Sequence, residues 1–167
     1  MPGTESVGQR WVIGIGGLEV RCAPAGVIIT HALGSCIGVA VHDPYAHVGG
    51  MLHAQMPSSA KSPDLARSDP GRFVDLGVPL LFQRAVEAGA DKRRLRIAVA
   101  GAANMSAVAN PLFDIGQQNL TALRKALWRL GALIAAEETG GSIPRTFSLD
   151  LATGATTVQS GAERRQL

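Results

Sequence analysis

The sequence predicts an α/β fold in which mixed or antiparallel β-sheets form a layered sandwich and helices pack on the outside. Eight or nine short runs of β-branched and apolar residues have the pattern of strands. Two longer segments instead carry apolar residues at helical spacing. Strands and helices do not alternate regularly, as they would in a parallel βαβ sheet, so the sandwich is the class that fits both observations.

The strands are bounded by Gly, Pro and Asp turn signals. We expect them at residues 11–15, 18–22, 27–29, 37–43, 48–53, 95–100, 132–136, 145–149 and 156–159. Gly16-Gly17 predicts a hairpin between the first two, and Asp43-Pro44 opens a hairpin turn between the fourth and the fifth. The last two are joined by a turn at Thr153-Gly154.

Helices are predicted at residues 72–88, with Gly89 as a stop, and at residues 117–130, with Gly131 as the cap. Pro79 should kink the first of them or mark the start of its second part. Residues 57–71 form a long polar linker, which is either one wall of a substrate groove or a flexible surface loop.

Length and composition indicate one globular domain. The chain has 167 residues, of which 46% are hydrophobic and 17% charged. We expect a disordered lead-in at residues 1–10, a single domain at 11–160 and a frayed tail at 161–167. No apolar run is long enough to span a membrane, and the N-terminus lacks the pattern of a secretory signal.

Charge and cysteine content narrow the function classes. A net charge of +3 without interleaved aromatics or a recognised motif gives no nucleic-acid site. Two cysteines, Cys22 and Cys36, cannot form the disulfide framework of a secreted module. Both fit a reduced cytoplasm, and we predict a cytoplasmic protein.

The predicted hairpin of residues 37–53 brings the thiol of Cys36, which immediately precedes it, close to the imidazole of His53. If the turn is Asp43 to Ala46, the numbers of facing residues sum to about 89, and Cys36 lies directly opposite His53. Directly opposed residues share a face of the sheet, although a slip of one residue would separate them. Cys36 and His53 are therefore the candidate nucleophile and base of a cysteine enzyme.

The segment before Cys36 supplies the other groups that such chemistry needs. A neighbouring imidazole can lower the pKa of a thiol and take its proton, and a third group usually orients the base. Thr30 is the nearest candidate for that third group. The Gly34-Ser35 turn can present backbone N–H groups to a developing oxyanion. Asn104, which follows a later strand, is either a turn residue or a hydrogen-bond partner of the loop or of a substrate amide.

Four histidines near Cys36 raise the alternative of a metal site. His31, His42, His47 and His53 lack the short paired spacings of zinc ligands. His42 also lies at the far end of its strand from the thiol. No metal is expected, and Cys22, in an apolar strand, is expected to be structural.

The motifs around these residues resemble those of the chemoreceptor glutamine deamidases, the CheD family. Thr30-x-x-Leu33-Gly34-Ser35-Cys36 is followed by Gly49-Gly50-Met51-x-His53 and by Met56-Pro57. Further matches occur in the right order along nearly the whole chain. They are Gly101-Ala102-Ala103-Asn104-Met105, Ile115-Gly116-x-x-Asn119 and Gly140-Gly141 with Arg145.

The resemblance implies a layered α/β fold shared with cysteine-dependent toxin deamidases. It places the catalytic cysteine, histidine and threonine of the family on Cys36, His53 and Thr30. It also implies conversion of selected glutamines to glutamate on the helical cytoplasmic part of chemoreceptors, without a cofactor, and a phosphatase partner of the CheC type.

Four positions depart from the family pattern. Ala98, Ala100 and Ala102 replace the Lys, Phe and Gly that are common in the family, and Gln118 replaces a frequent Arg. Because the catalytic block is intact, we expect these changes to affect substrate or partner contacts. They leave open a non-catalytic adaptor that binds receptors or the phosphatase. A cysteine hydrolase of small amides or esters is a third possibility.

Overall fold

A computed structural model describes residues 8–106 and 110–167, so residues 1–7 of the predicted lead-in lie outside the described residues. The strands in these ranges are β1 (Arg10–Ile13), β2 (Leu18–Cys22), β3 (Val27–Leu33), β4 (Ile37–Asp43), β5 (Val48–Ala54), β6 (Arg96–Gly101), β7 (Ile134–Thr139), β8 (Arg145–Asp150), β9 (Thr156–Ser160) and β10 (Glu163–Gln166). The α-helices are α1 (Pro63–Ser68), α2 (Val74–Glu87) and α3 (Ile115–Leu130).

The strands form two mixed sheets, which confirms the predicted fold class. The first sheet has the order β1-β3-β8-β9-β10, and the second has the order β2-β5-β4-β6-β7. Two neighbouring pairs, β1 with β3 and β6 with β7, are parallel, whereas the other pairs are antiparallel.

Two apolar clusters define the layers. One lies between the sheets and includes Ile28, Met51 and Phe147. The other joins the opposite face of the second sheet to α2 and α3, through residues such as Leu81 and Leu123. The helices are therefore packed on the outside of the second sheet, because their apolar stripes and the sheet bury each other.

The long helices begin and end close to the predicted residues. The Asp114 side chain caps the start of α3 by accepting a hydrogen bond from Gln117 N at 3.0 Å. Gly131, with φ of 67°, ends it in the left-handed conformation. Helix α2 continues through Pro79 as one element.

The predicted hairpin between the first two strands is wrong. β1 pairs in parallel with β3, whereas β2 pairs with β5 in the other sheet. Gly16 has φ of 78°, and Gly17 N donates to Gly14 O at 2.8 Å, so this turn carries the chain from one sheet to the other. Turn residues indicate where the chain reverses, but not which strand becomes the neighbour.

The hairpin of β4 and β5 is confirmed, but its register differs from the prediction. Asp43 pairs with Val48 and Gly38 pairs with His53, so the loop is two residues longer than expected. His47 takes a positive φ of 54°, and the Asp43 carboxylate accepts the N–H groups of Tyr45 and Ala46, which widens the turn. A shift of two residues keeps every side chain on its predicted face.

Two segments expected to be irregular contain regular structure. Residues 57–71 include α1 and the start of a 3₁₀ helix, Pro70–Arg72. The segment predicted to fray contains β10, which pairs antiparallel with β9. No helix in the described part of the chain has both the length and the apolar character needed to cross a bilayer.

Candidate active site

His53 is buried on β5 and is held from one side by Thr30 on β3. The imidazole Nδ1 lies 2.7 Å from Thr30 Oγ1, and Thr30 Oγ1 lies 2.8 Å from the carbonyl oxygen of Ile13. Thr30 is fully buried, and His53 is 1% exposed. The parallel pairing of β1 with β3 places Ile13 opposite Thr30 and so creates this chain of contacts.

The chain of contacts determines the tautomer of His53. The Ile13 carbonyl can only accept, so the one hydroxyl proton of Thr30 is donated to it. Thr30 Oγ1 must then accept from His53 Nδ1–H, which leaves the proton off Nε2. Nε2 is buried and has no hydrogen-bond partner among the described residues. Burial lowers the pKa of His53 from its ordinary 6.5 to about 4, so the ring is neutral at neutral pH with an open basic nitrogen.

Cys36 lies immediately before β4 and faces the same layer as His53. Its side chain belongs to the cluster between the sheets, and it precedes by two residues the Gly38 that pairs with His53. The two residues are therefore diagonal neighbours rather than directly opposed. Diagonal neighbours on one face have Cα atoms roughly 7–8 Å apart, which is within reach of an imidazole.

The Cys36 thiol is protonated in the resting protein. Burial raises its pKa above the ordinary value of 9.0, and this effect outweighs the lowering by its own backbone N–H and by the positive charge of Arg72. From the sequence we expect the imidazole to lower this pKa, whereas burial raises it in the folded protein. A neutral thiol beside a neutral imidazole implies that the proton moves during the attack on substrate, not before it.

The loop that carries Cys36 is held by the segment after β6. Ala102 N donates to the Cys36 carbonyl at 2.8 Å, and Ala103 N donates to the Gly34 carbonyl at 2.9 Å. A Cβ at Gly101, where φ is 104°, would collide with the same Cys36 carbonyl, so only glycine permits this approach. In the described chain, no carbonyl or side-chain oxygen accepts the backbone N–H of Ser35 or Cys36. The N–H of Gly34, which was predicted as an oxyanion donor, instead donates to the Ala32 carbonyl at 3.0 Å.

Two residues near the site, Asn119 and Arg72, were not identified by sequence reasoning as functional. The Asn119 side chain donates to the carbonyls of Ser35 and Gln55, at 2.9 and 3.0 Å. Arg72 donates to the Gln55 side chain at 2.8 Å and to Asp69 at 2.9 Å. Asn119 is noted in the sequence only as part of a motif shared with the CheD family. Its two partners lie 84 and 64 residues away in the sequence, and contacts at such separations leave no local pattern.

Asn104 lies in a turn outside the loop of Gly34, Ser35 and Cys36, which we call the nucleophile loop. Its side-chain oxygen accepts the Ser106 N–H at 3.0 Å, and its own N–H donates to Gly141 at 2.8 Å. Its neighbour Met105 is the apolar side chain over the loop: a Cβ at Gly34 would lie 3.2 Å from Met105 Cγ. Met105 is 53% exposed and is therefore available to a ligand that approaches Cys36.

The other histidines serve separate contacts. His42 Nε2 lies 3.1 Å from the Leu151 carbonyl, and His31 Nδ1 lies 3.2 Å from Thr146 Oγ1. Within residues 8–106 and 110–167, no three His, Cys, Asp or Glu side chains lie close enough together to hold a metal ion.

Three of the four departures from the family pattern lie inside the molecule, whereas Gln118 is only half-buried. Ala98 and Ala100 are 2% and 0% exposed and belong to the cluster between the sheets, as Cys36 does. Ala102 is also buried and takes a left-handed φ of 53°, where glycine would be unstrained. The first two therefore alter packing behind the site and not an exposed contact surface.

The candidate site is almost closed. Cys36 is only 8% exposed, and His53 is 1% exposed. A separate cleft of about 1310 Å³ lies on the first sheet and is lined by residues that include His31 and Arg145. Neither Cys36 nor His53 lines it, so the cleft is not where the thiol and imidazole meet a substrate.

Comparison with known proteins connects this site to one family. Residues 55–160 match the family model described as CheD chemotactic sensory transduction. The chain is 40% identical over 159 residues to a protein from Solibacter usitatus named "Probable chemoreceptor glutamine deamidase CheD", covering 95% of this chain and 94% of that protein. It is 45% identical to "Probable chemoreceptor glutamine deamidase CheD 2" of Anaeromyxobacter dehalogenans, covering 89% of this chain and 93% of that protein.

An archaeal relative extends the comparison. The Thermococcus kodakarensis protein, also named "Probable chemoreceptor glutamine deamidase CheD", is 38% identical over 85% of this chain and 87% of its own length. The family model begins after His53, whereas these relatives match most of the chain. With the motifs in order and relatives of this identity over nearly full length, the chain belongs to the CheD family.

Proposed function

We propose that the protein is a glutamine deamidase that converts selected glutamine side chains of chemoreceptors to glutamate. The observation that carries this proposal is the buried, unprotonated Nε2 of His53 on the sheet face that also carries Cys36. The names of the relatives support the substrate class. We place the reaction in the cytoplasm, where the helical signalling part of chemoreceptors lies.

The first half of the reaction forms a thioester. The Cys36 sulfur attacks the carboxamide carbon of the glutamine while His53 Nε2 takes the thiol proton. The carbonyl electrons move to the oxygen, and the open N–H groups of Ser35 and Cys36 stabilise the resulting oxyanion. The intermediate then collapses, and the imidazolium returns the proton to the nitrogen, which leaves as ammonia.

The second half consumes water. His53 Nε2 takes a proton from a water molecule, whose oxygen attacks the thioester carbon. The carbon–sulfur bond breaks, and the sulfur takes the proton from the His53 imidazolium. The net change is a carboxamide plus water giving a carboxylic acid plus ammonia. Thr30 keeps Nδ1 protonated throughout and so holds the correct nitrogen toward the thiol.

Exposed apolar and polar groups at the mouth of the site fit a protein substrate. Met105 lies over the nucleophile loop, and the nearly closed thiol admits a side chain more readily than a bulky ligand. Binding by a CheC-type phosphatase, which the family resemblance implies, belongs to the same proposal. Its simplest test is co-purification with such a phosphatase, with and without a receptor fragment in competition.

The decisive experiment is incubation of the protein with soluble receptor fragments, followed by peptide mass spectrometry. We expect selected glutamines to show the mass increase that accompanies conversion of an amide to an acid, and we expect ammonia to be released. Cys36→Ala should abolish it, whereas Cys22→Ala, at the other free cysteine, should retain it. Full activity of the Cys36→Ala variant would refute the proposal.

The near closure of Cys36 is the observation that favours the second candidate, an adaptor without catalysis. The two candidates differ in the reactivity of the thiol. Alkylation of Cys36 by iodoacetamide that depends on His53 argues against an inert adaptor. A parallel assay on free glutamine separates a protein deamidase from a hydrolase of small amides.

A further inference from the structure

One side chain of α3 contacts both segments that carry the proposed reacting groups. Asn119 is fully buried, and its Nδ2 donates to the Ser35 carbonyl at 2.9 Å and to the Gln55 carbonyl at 3.0 Å. Ser35 immediately precedes Cys36, and Gln55 follows His53 by two residues. We propose that Asn119 is a positioning residue that sets the separation between the Cys36 thiol and the His53 imidazole. This inference rests on the proposed function.

The hydrogen-bonding groups allow only one arrangement of the Asn119 amide. Both partners are carbonyl oxygens, which can only accept, so the NH₂ group must face them. A carboxylate in this place would set a negative charge against two carbonyls. An apolar side chain would leave both carbonyls without this donor. Two donors on one short, rigid group are what the clamp requires.

The other end of the Asn119 amide has no partner in the described chain, so the contribution of this side chain lies in the bonds made by its NH₂ group. Asn119 Oδ1 is buried and has no hydrogen-bond partner among the described residues. Unsatisfied buried polar atoms are uncommon because they destabilise a fold. An apolar residue at this position of α3 would remove the unpaired acceptor but would leave the carbonyls of Ser35 and Gln55 without their donor. The two bonds across the site are therefore what the amide contributes.

Gln55 is held on two further sides, which makes the clamp rigid. Its backbone N–H donates to the Arg72 carbonyl at 2.8 Å, and its side chain accepts from Arg72 at 2.8 Å. The strand end after His53 is therefore fixed before Asn119 joins it to the nucleophile loop. On its other side the loop is held by its bonds to Ala102 and Ala103.

The test compares Asn119→Asp with the matched control Leu123→Ala. Leu123 lies one turn further along α3 and is fully buried in the cluster beneath the helix, so its variant reports loss of packing alone. The readout is the rate of Cys36 alkylation by iodoacetamide between about pH 5 and about pH 9, mapped by peptide mass because Cys22 also reacts.

We expect Asn119→Asp to slow alkylation of Cys36 by about tenfold or more at neutral pH, because a misplacement of about 1 Å between reacting groups can cost up to about a hundredfold in rate. The deficit should shrink toward acid pH, because the protonated carboxyl regains one donor. Leu123→Ala should lower the melting temperature but keep the rate within about twofold of the wild type. A rate for Asn119→Asp within that same range at neutral pH would overturn the proposal.

Two further variants keep the outcomes separate. If Asn119→Asp does not fold at neutral pH, Asn119→Ala takes its place, and a rate equal to that of Leu123→Ala overturns the inference. His53→Ala tests the underlying function. If alkylation of Cys36 is independent of His53, the proposed thiol–imidazole pair fails; if it is dependent but insensitive to Asn119, only the positioning role fails.

Discussion

At the scale of single residues, the site depends on one hydroxyl group that both donates and accepts. Thr30 donates to the Ile13 carbonyl and thereby can only accept from His53 Nδ1. The proton is kept off Nε2 by this arrangement and not by a carboxylate. Because the Thr30 hydroxyl is neutral, it does not stabilise a charged ring. Burial therefore sets the low pKa of His53.

Replacement of Thr30 by Val keeps the shape of the side chain but removes the hydroxyl. We expect unfolding in urea to show a loss of about 1–3 kcal/mol, since the Ile13 carbonyl and His53 Nδ1 are both left buried without partners. We also expect a lower deamidation rate, because the ring can then take the wrong tautomer. Thr30→Ser, which retains the hydroxyl, should recover most of both properties. Equal behaviour of the two variants would show that the hydroxyl is not what orients the ring.

Sequence reasoning proposed the thiol, the imidazole and the hydroxyl as candidates because they lie in one short block with turn residues around them. It did not identify a role for Asn119 or the effect of Arg72 on the Cys36 thiol. Both act from segments distant in sequence, through side-chain contacts that only packing creates. The protonation state of Cys36 also depended on burial, which a local motif does not report.

At the scale of elements, the start of α3 packs directly on the segment that holds the nucleophile loop. A Cβ at Gly116 would lie 2.6 Å from the Ala102 carbonyl carbon and would also collide with the Ala103 carbonyl oxygen. Ala102 and Ala103 in turn donate to Cys36 and Gly34. The glycine is therefore needed for close approach of helix and loop, not for flexibility.

Gly116→Ala should be destabilising even though alanine is the better helix former. Helix propensity alone predicts a gain of up to about 1 kcal/mol. The collision with backbone should reverse the sign and cost about 1–3 kcal/mol, which chemical denaturation can measure. Thr121→Ala, on the exposed face of the same helix, is the control and should be neutral or slightly stabilising. A Gly116→Ala variant as stable as the wild type would contradict the packing described here.

Most strands and both long helices were predictable from apolar periodicity and turn residues. The pairing of β1 was not, since a Gly-Gly turn suits a sheet crossing as well as a hairpin. The register of β4 with β5 was displaced by two residues because Asp43 and His47 built a longer loop. Strand β10 was missed because its exposed, charged sequence has no apolar alternation. It is a strand because its backbone pairs with β9.

At the scale of the whole molecule, two buried titratable groups make stability depend on pH. His53 has a folded pKa of about 4, below its ordinary 6.5. Between these values the unfolded chain binds a proton and the folded chain does not. Stability should therefore fall as the pH is lowered from about 6.5 to about 4, by up to about 3 kcal/mol, and this contribution levels off below that range.

Asp43 acts in a lower range. Burial by itself raises the pKa of its carboxyl. Hydrogen bonds from Arg94 and from the backbone N–H groups of Asp91, Ala46 and Tyr45 outweigh that effect and hold the pKa well below its usual range. The unfolded carboxyl takes up a proton near pH 4 while the folded one stays ionised. Stability from Asp43 is thus present above that pH and is lost as the pH falls below it.

Thermal unfolding measured across the acid range should show two separate decreases in stability, an upper fall between about pH 6.5 and about pH 4 from His53 and a lower fall below about pH 4 from Asp43. His53→Gln should remove the upper fall and leave the lower one. Arg94→Ala should shrink the lower fall, because Asp43 loses its guanidinium partner at 2.9 Å. Arg67→Ala is the matched control, since Arg67 pairs with Asp64 on the surface, where both side chains are largely exposed, and should change neither. An unchanged upper fall in His53→Gln would show that another group is responsible for it.

The sequence alone determined the fold class, most of the elements and the block that holds Thr30, Cys36 and His53. These depend on residue type and short-range spacing, which burial of apolar faces and turn geometry translate directly into strands, helices and loops. The tertiary structure decided which strands became neighbours, the tautomer and pKa of His53, the protonation of Cys36 and the clamp made by Asn119. Those properties arise from contacts between distant segments and from exclusion of water, and neither exists until the two sheets and the helices have packed together.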